Sequence, residues 1–379
     1  MENVSDRLTA VRRALLDAPA DRLVECLAET VAKEYAVTDL ELLLVDYRLA
    51  ALLPLLGGPP ITRPGDPAWR SFDHQADVTA GHFHYVPVTA RGERMGVLRY
   101  SPGAEAETIR AELAEIATLL GHELQAAAAG TDRYAVAART TRLTLAAEMQ
   151  WELLPGRSRS GPSFSLAGQL EPSYAVHGDS FDWAEQDGRL YLTVLNGHGD
   201  GMNAALLTSL ATYALRNARR AGLALADQAA LADQAVFAQH RGDLHVETLL
   251  LELDLRTGEL QAVDAGSPRM LLLRAGEVLD RPLEAQFPLG MFETSQYTPQ
   301  SFALRTGDRL FIVSDGVFDA GKENSRYGES ALHRFVRRTA ALAPLQAVRS
   351  LLGELRTYVG GDLDDDAVAV CLDWTGTTG

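Results

Sequence analysis

A chain of 379 residues with 46% hydrophobic residues is long enough for two buried cores, so two domains are expected. A formal net charge of -16 excludes a partner recognised through phosphate backbones, hence no nucleic acid, and disfavours anionic membranes. The two cysteines, Cys26 and Cys371, lie too far apart in sequence to suggest a disulfide framework.

The start, Met-Glu-Asn-Val-Ser-Asp, has no basic stretch leading into an apolar one, so no secretory signal is expected and a cytoplasmic location is. From Val11 to Ala36 the apolar spacing predicts one helix. Residues 41–46 read as a strand, and Gly57 through Pro67 as a loop. The runs 82–89 and 94–100 are strands joined by a turn at Gly92, a hairpin signal. His82 and His84 alternate on the first of these, and two histidines alone make a poor zinc site. Residues 105–129 are helical, with Ile109, Leu113, Ile116, Leu120 and Leu124 at intervals of three or four. A second helix is predicted from Arg133 to Leu154, before Pro155-Gly156. This pair, 105–154, could either form a homodimer seam or pack back on the first domain.

Beyond Pro155 the pattern turns to strands, at 164–170, 189–195, 247–254, 260–264, 269–274, 308–314 and 367–372. Helices fall in pairs, 203–221 with 224–239 and 327–342 with 344–359. Two sheets between helix pairs is the economical layering. Three acidic clusters sit at strand ends: Asp179 with Asp182, Asp315 before Gly316, and Asp364-Asp365-Asp366. A fourth strand breaks into Asn196-Gly-His-Gly-Asp-Gly201 and restarts as a helix. Carboxylates gathered by strand ends are what a hard cation such as Mg2+ or Mn2+ binds. Singly, each cluster also reads as an ordinary turn or a solvated loop.

Their joint order is what carries a resemblance. The stretches Met149–Pro155, Glu171–Asp182, Asn196–Gly201, Ala204–Leu207, Asp264–Pro268, Pro288–Gly290, Gly307-Asp308, Ser314–Val317, Tyr327-Gly328 and Asp365-Asp366 follow one another as in the PPM (protein phosphatase 2C-like) family. Residues 142–374 resemble its catalytic domain, in the SpoIIE-type branch of bacterial sporulation and sigma-factor regulators. The first part resembles a GAF-type sensor in element order and length. The resemblance implies an α+β chain: a GAF-like α/β sensor domain over 1–129, a helical linker over 130–156, and a PPM α-β-β-α sandwich over 157–379.

The implied activity is hydrolysis of phosphoserine or phosphothreonine at two Mg2+ or Mn2+ ions. Asp179 would serve one ion, Asp315 and Asp365 the other, and Gly197 would offer its carbonyl. The expected substrate is a phosphorylated regulatory protein of the anti-sigma-factor-antagonist type, with an unknown small ligand for the sensor. The family's bridging aspartate falls at position 196, which is asparagine. Its amide is neutral, and its nitrogen cannot bridge to a second cation. One missing charge at ~4 Å and an effective dielectric of ~20 is worth about 4 kcal/mol per ion as an upper estimate, roughly three decades of affinity. Weakened metal binding is therefore expected, with a non-catalytic, phosphoprotein-binding pseudophosphatase as the alternative. Three further departures are His177, Ser267 and Val368, where this branch has glycine, histidine and threonine.

Overall fold

The computed structural model describes residues 2–103, 106–171, 176–280, 283–322, 325–361 and 363–376. Residues 172–175, part of the stretch Glu171–Asp182, lie outside them. The chain divides into two compact units, Met1–Arg142 and Leu143–Gly379.

In the first unit, α1 (Glu2–Asp17) and α2 (Leu23–Tyr35) replace the single helix expected over 11–36. Pro19 is extended (φ -57, ψ 140) and heads a short 3-10 turn, Ala20–Arg22, which breaks the helical run. The strands β1 (Thr38–Val45), β2 (Leu52–Pro54), β3 (Val78–Ala80), β4 (Phe83–Ala90) and β5 (Glu93–Ser101) form one antiparallel sheet in the order β2-β1-β5-β4-β3. The turn between β4 and β5 has positive φ at Arg91 and Gly92, as the twist of a tight hairpin requires. A short α3 (Pro67–His74), opened by Asp66 accepting from the Ala68 N–H at 2.9 Å, follows the expected loop in a stretch to which no element was assigned. The apolar stripe of α4 (Ala106–Ala127), Ile109 through Leu124, is buried with residues of α1, α2 and the sheet. It closes this unit's own core, so it is not a free seam for a dimer.

The helix expected over 133–154 is two helices, α5 (Arg133–Ala137) and α6 (Leu145–Leu153). Thr144 caps α6 by accepting from the Ala147 N–H at 3.2 Å, which starts a new helix where a continuous one was expected. The unit boundary falls between them.

The second unit is built on two antiparallel sheets. One contains β8 (Asp179–Gln186), β9 (Arg189–Gly197), β10 (Val246–Asp254), β11 (Glu259–Ala265) and β14 (Gln300–Ala303) in the order β14-β11-β10-β9-β8. The other contains β6 (Ser158–Ser160), β7 (Phe164–Glu171), β12 (Arg269–Arg274), β13 (Glu277–Asp280), β15 (Arg309–Val313) and β18 (Ala367–Trp374) in the order β13-β12-β15-β18-β7-β6. A two-stranded hairpin, β16 (Gly321–Lys322) with β17 (Ser325–Arg326), lies apart from both.

Side chains alternate across each strand, and both faces of central strands such as β10 and β15 are buried. Leu249, Leu251 and Leu253 point into the core between the sheets with Leu310 and Ile312. Leu250 and Val263 face α7 (Gly201–Arg220) and α8 (Leu225–His240). Phe311 and Val313 face α10 (Gly328–Arg338) and α11 (Pro344–Val359). The layers are therefore α-β-β-α. Each fully buried leucine contributes roughly 1.5–3 kcal/mol, so the continuous apolar run of β10 is a main anchor of the sandwich.

Helix α6 belongs to this unit. Ala146 and Ala147 pack on Val176 and Ala205, and Trp151 and Leu153 are buried. A fragment of residues 143–379 is expected to unfold in one cooperative transition. A fragment starting at 157 should lose about 3 kcal/mol or more in urea denaturation, because it leaves the α6 contacts open. Equal stability of the two fragments would contradict this packing.

Candidate metal centre

The site lies where strands of both sheets end. Asp179 opens β8 and stands opposite Asn196 near the end of β9. Asp315 follows β15 as the first residue of α9 (Asp315–Phe318), and Asp365 precedes β18. Two hydrogen bonds clamp the Ser314–Gly316 turn to β18: the Val368 N–H donates to the Ser314 hydroxyl at 2.9 Å, and the Ser314 N–H to the Val368 carbonyl at 3.1 Å. The approach is so close that a Cβ on Gly316 would lie 1.9 Å from the Asp366 carbonyl oxygen, so only glycine can follow Asp315 here.

Asn196, Gly197, Asp315 and Asp365 line one open cleft of about 680 Å³, together with His177 and Glu247. Gly197 is further fixed by its N–H donating to the Gly178 carbonyl at 3.2 Å. A second cleft of about 610 Å³ shares Asp315 and Glu247 and contains Arg269, the sole arginine or lysine among the described residues of either cleft. The Arg269 guanidinium lies 3.9 Å over the Phe318 ring and pairs with Glu329.

Asp179 is 1% exposed, and among the described residues neither of its carboxylate oxygens has a hydrogen-bond partner. Burial first, then the charges of Asp366 and Asp315, push its carboxyl well above the ordinary range. The Ser314 hydroxyl lowers it somewhat from outside hydrogen-bonding geometry. Burial and the neighbouring Asp365 raise Asp315 to about 6 against the favourable Gly316 N–H and Asn196 amide. Asp365 is raised by burial, with His177 opposing and Asp366 adding to the shift.

The expected cage is not assembled. Among the described residues, no group of three or more His, Cys, Asp or Glu side chains stands ready to hold a metal ion. The reason is local. The Asn196 amide donates to Asp315 Oδ2 at 2.8 Å and to the Ser267 hydroxyl at 3.1 Å, and His177 Nδ1 lies 2.9 Å from Asp365 Oδ1. Two departures from the family pattern thus occupy two of the expected ligands. The donor set still fits a hard cation. It is oxygen-rich, its carboxylates repel one another, and the buried Asp179 oxygens lack a partner, an arrangement that a dication relieves.

Asp366, named in the sequence only as part of the acidic run, is fully buried. Its Oδ2 accepts from the His177 N–H at 2.8 Å, the Gly178 N–H at 3.1 Å and Gln150 Nε2 at 2.9 Å. Gln150 also donates to the Asp179 carbonyl at 3.1 Å, so α6 holds both acidic segments. Asp182 pairs with Arg216 at 2.8 Å and Arg219 at 3.0 Å, which makes it a buried structural anion. Sequence reasoning missed Gln150, although it lies in a quoted stretch, and missed Glu247, which no motif marks. His198 and His245 stack, with ring centroids 4.9 Å apart, at the cleft.

This architecture places the second unit in a known class. The PP2C phosphatase domain, with a fragment of the regulatory domain, of the cell fate determinant SpoIIE from Bacillus subtilis matches with a TM-score of 0.50 at 18% identity, over 55% of this chain and 63% of that one. The fold is that of PP2C-type phosphatases. The RsbU and RsbW domains of Rv1364c from Mycobacterium tuberculosis match at 25% identity and a TM-score of 0.48, over 57% of this chain and 62% of that one. The SiaA-PP2C domain of Pseudomonas aeruginosa matches at 20% identity and a TM-score of 0.49, over 55% of this chain and 85% of that one. The matches to the first two of these structures reach less than two thirds of those chains. The family model of stage II sporulation protein E (SpoIIE) matches residues 186–375, half of the chain, and the chain belongs to this family. Asn196, Gly197, Asp315 and Asp365 fall inside that segment, and Asp179 just before it. No curated protein matches the sequence. Among the described residues, no helix is long and apolar enough to cross a membrane.

Proposed function

We propose that this chain is a metal-dependent serine/threonine protein phosphatase, acting in the cytoplasm on a phosphorylated regulatory protein of the anti-sigma-factor-antagonist type. The observation that carries the reading is the buried, partnerless Asp179 carboxylate beside Asp315 and Asp365. Asp179, Asp315, Asp365 and the Gly197 carbonyl would hold Mg2+ or Mn2+. Such cations, when bound, supply a nucleophile at neutral pH and neutralise phosphoryl charge. The chain's own residues set the stage for this. Asp366 and Gln150 fix the two acidic segments, and Asn196 must release Asp315 and turn its amide oxygen toward the cleft. Arg269, stacked on Phe318, is placed to receive phosphoryl oxygens, because its exposed pair with Glu329 is solvent-screened and exchangeable. The first unit, with its own core, would act as the sensor of a small ligand.

One observation favours a second reading, a phosphoprotein-binding pseudophosphatase. The Asn196 amide satisfies Asp315 without any cation. Hydrolysis of a phosphoserine protein or p-nitrophenyl phosphate during a Mn2+ titration decides between them. The expected result is activity that saturates only in the millimolar range, with Arg269→Ala raising KM and leaving the Mn2+ demand unchanged. Folded protein that releases no phosphate at any Mn2+ concentration supports the second reading.

A further inference from the structure

Position 196 has a neighbour that no motif marks. In the register of the sheet, Asn196 stands opposite Asp179 on one side and opposite Glu247 of β10 on the other. Directly opposed residues of antiparallel strands project to the same face, with Cβ atoms about 4.5–5.5 Å apart. Asp179, Asn196 and Glu247 therefore form one row across three adjacent strands, and the row ends at the clefts that Glu247 shares with Asp315.

Glu247 has room and no other use. Just past Ala265 of β11, which pairs with Thr248, comes Gly266, where φ is +148 and a Cβ would lie 2.3 Å from the Glu247 Cβ; any larger residue would displace the glutamate. Among the described residues, Glu247 has no hydrogen-bond or ion-pair partner. Its charge is felt by Asp315, Asp264 and His245. A carboxylate held half-buried among other acids without a partner is unfavourable unless a cation joins them. The partnerless Asp179 oxygens at the other end of the row point to the same missing ligand.

We propose that Glu247 supplies the cation-binding carboxylate that position 196 lacks, so that the row Asp179–Asn196–Glu247 with Asp315 and Asp365 restores four carboxylates to the site. The glutamate side chain is one methylene longer than an aspartate, starts one strand away from position 196 and lines the same cleft as Asn196, Asp315 and Asp365. This rests on the metal-dependent reading only in that both require the acidic cleft to bind a dication.

The test is Mn2+ binding to the full chain, followed by electron paramagnetic resonance and calorimetry, for the parent, Glu247→Gln, Asn196→Asp and the double variant. Glu247→Gln is isosteric and removes no hydrogen bond, so circular dichroism and Tm in chelator should match the parent. It is expected to weaken Mn2+ binding about tenfold or more. In the Asn196→Asp background the same change should cost less than about threefold, because the carboxylate it replaces is then present. Unchanged binding in Glu247→Gln overturns the proposal. So does an equal loss in both backgrounds, which would make Glu247 only a distant charge. A parent that binds no Mn2+ overturns it as well. Hydrolysis of p-nitrophenyl phosphate on the same samples separates the two readings. A parent that hydrolyses while Glu247→Gln binds normally keeps the phosphatase and removes Glu247. Weakened binding in Glu247→Gln beside a parent that hydrolyses nothing keeps Glu247 and removes the phosphatase.

Discussion

Asn196→Asp is expected to lower Tm in chelator and to show a larger Mn2+-induced rise in Tm than the parent. Without metal, the substitution deletes the donor that bonds Asp315 Oδ2 at 2.8 Å and Ser267 at 3.1 Å. It puts two carboxylates at hydrogen-bonding distance, a loss of about 2–4 kcal/mol. With metal, the same two carboxylates would serve as ligands on the proposed reading. Binding at one hundred times the dissociation constant returns about 2.7 kcal/mol, and the added charge should tighten Mn2+ at least about tenfold. Phosphate release should rise in parallel. A thermal shift with Mn2+ no larger than the parent's would show that the neutral amide is not what limits this site.

The second large effect concerns Asp366. Asp366→Ala is expected to cost about 3–5 kcal/mol in urea denaturation, because it strands the buried donors of His177, Gly178 and Gln150. Asp366→Asn should cost clearly less than Asp366→Ala, since these three donors converge on one oxygen that an amide retains, and one charge is removed from beside Asp179. Similar losses for both variants would mean that the negative charge, and not the acceptor, is what the structure uses. The contrast thus assigns Asp366 to holding the site together, and Asp365 to facing the cleft.

Much of this architecture is legible in the sequence because its sheets are buried on both faces. Runs such as Leu249-Leu250-Leu251 are apolar without alternation and bounded by turns, so they read directly as strands. β8 escapes that rule. In Asp179-Ser-Phe-Asp182 three of four residues are polar, and the burial of the second aspartate depends on distant partners, Arg216 and Arg219. The two helix breaks, at Pro19 and Thr144, escaped because apolar spacing continues across them while the backbone does not. Site residues on strand ends were placed from order alone. What could not be read was how their neighbours use them. The His177–Asp365, Asn196–Asp315 and Gln150–Asp366 contacts join residues 119 to 216 positions apart, and depend on register that no local pattern encodes. Glu247 was hidden for the same reason, since only the pairing of β9 with β10 puts it beside Asn196.

The free thiols are distributed one to each compact unit, half-buried Cys26 on α2 and fully buried Cys371 on β18. Burial pushes the Cys371 thiol far above its usual titration range, so it is chemically silent while the sandwich is closed. Labelling of Cys371 under gentle denaturant therefore times the opening of the sandwich in the intact chain.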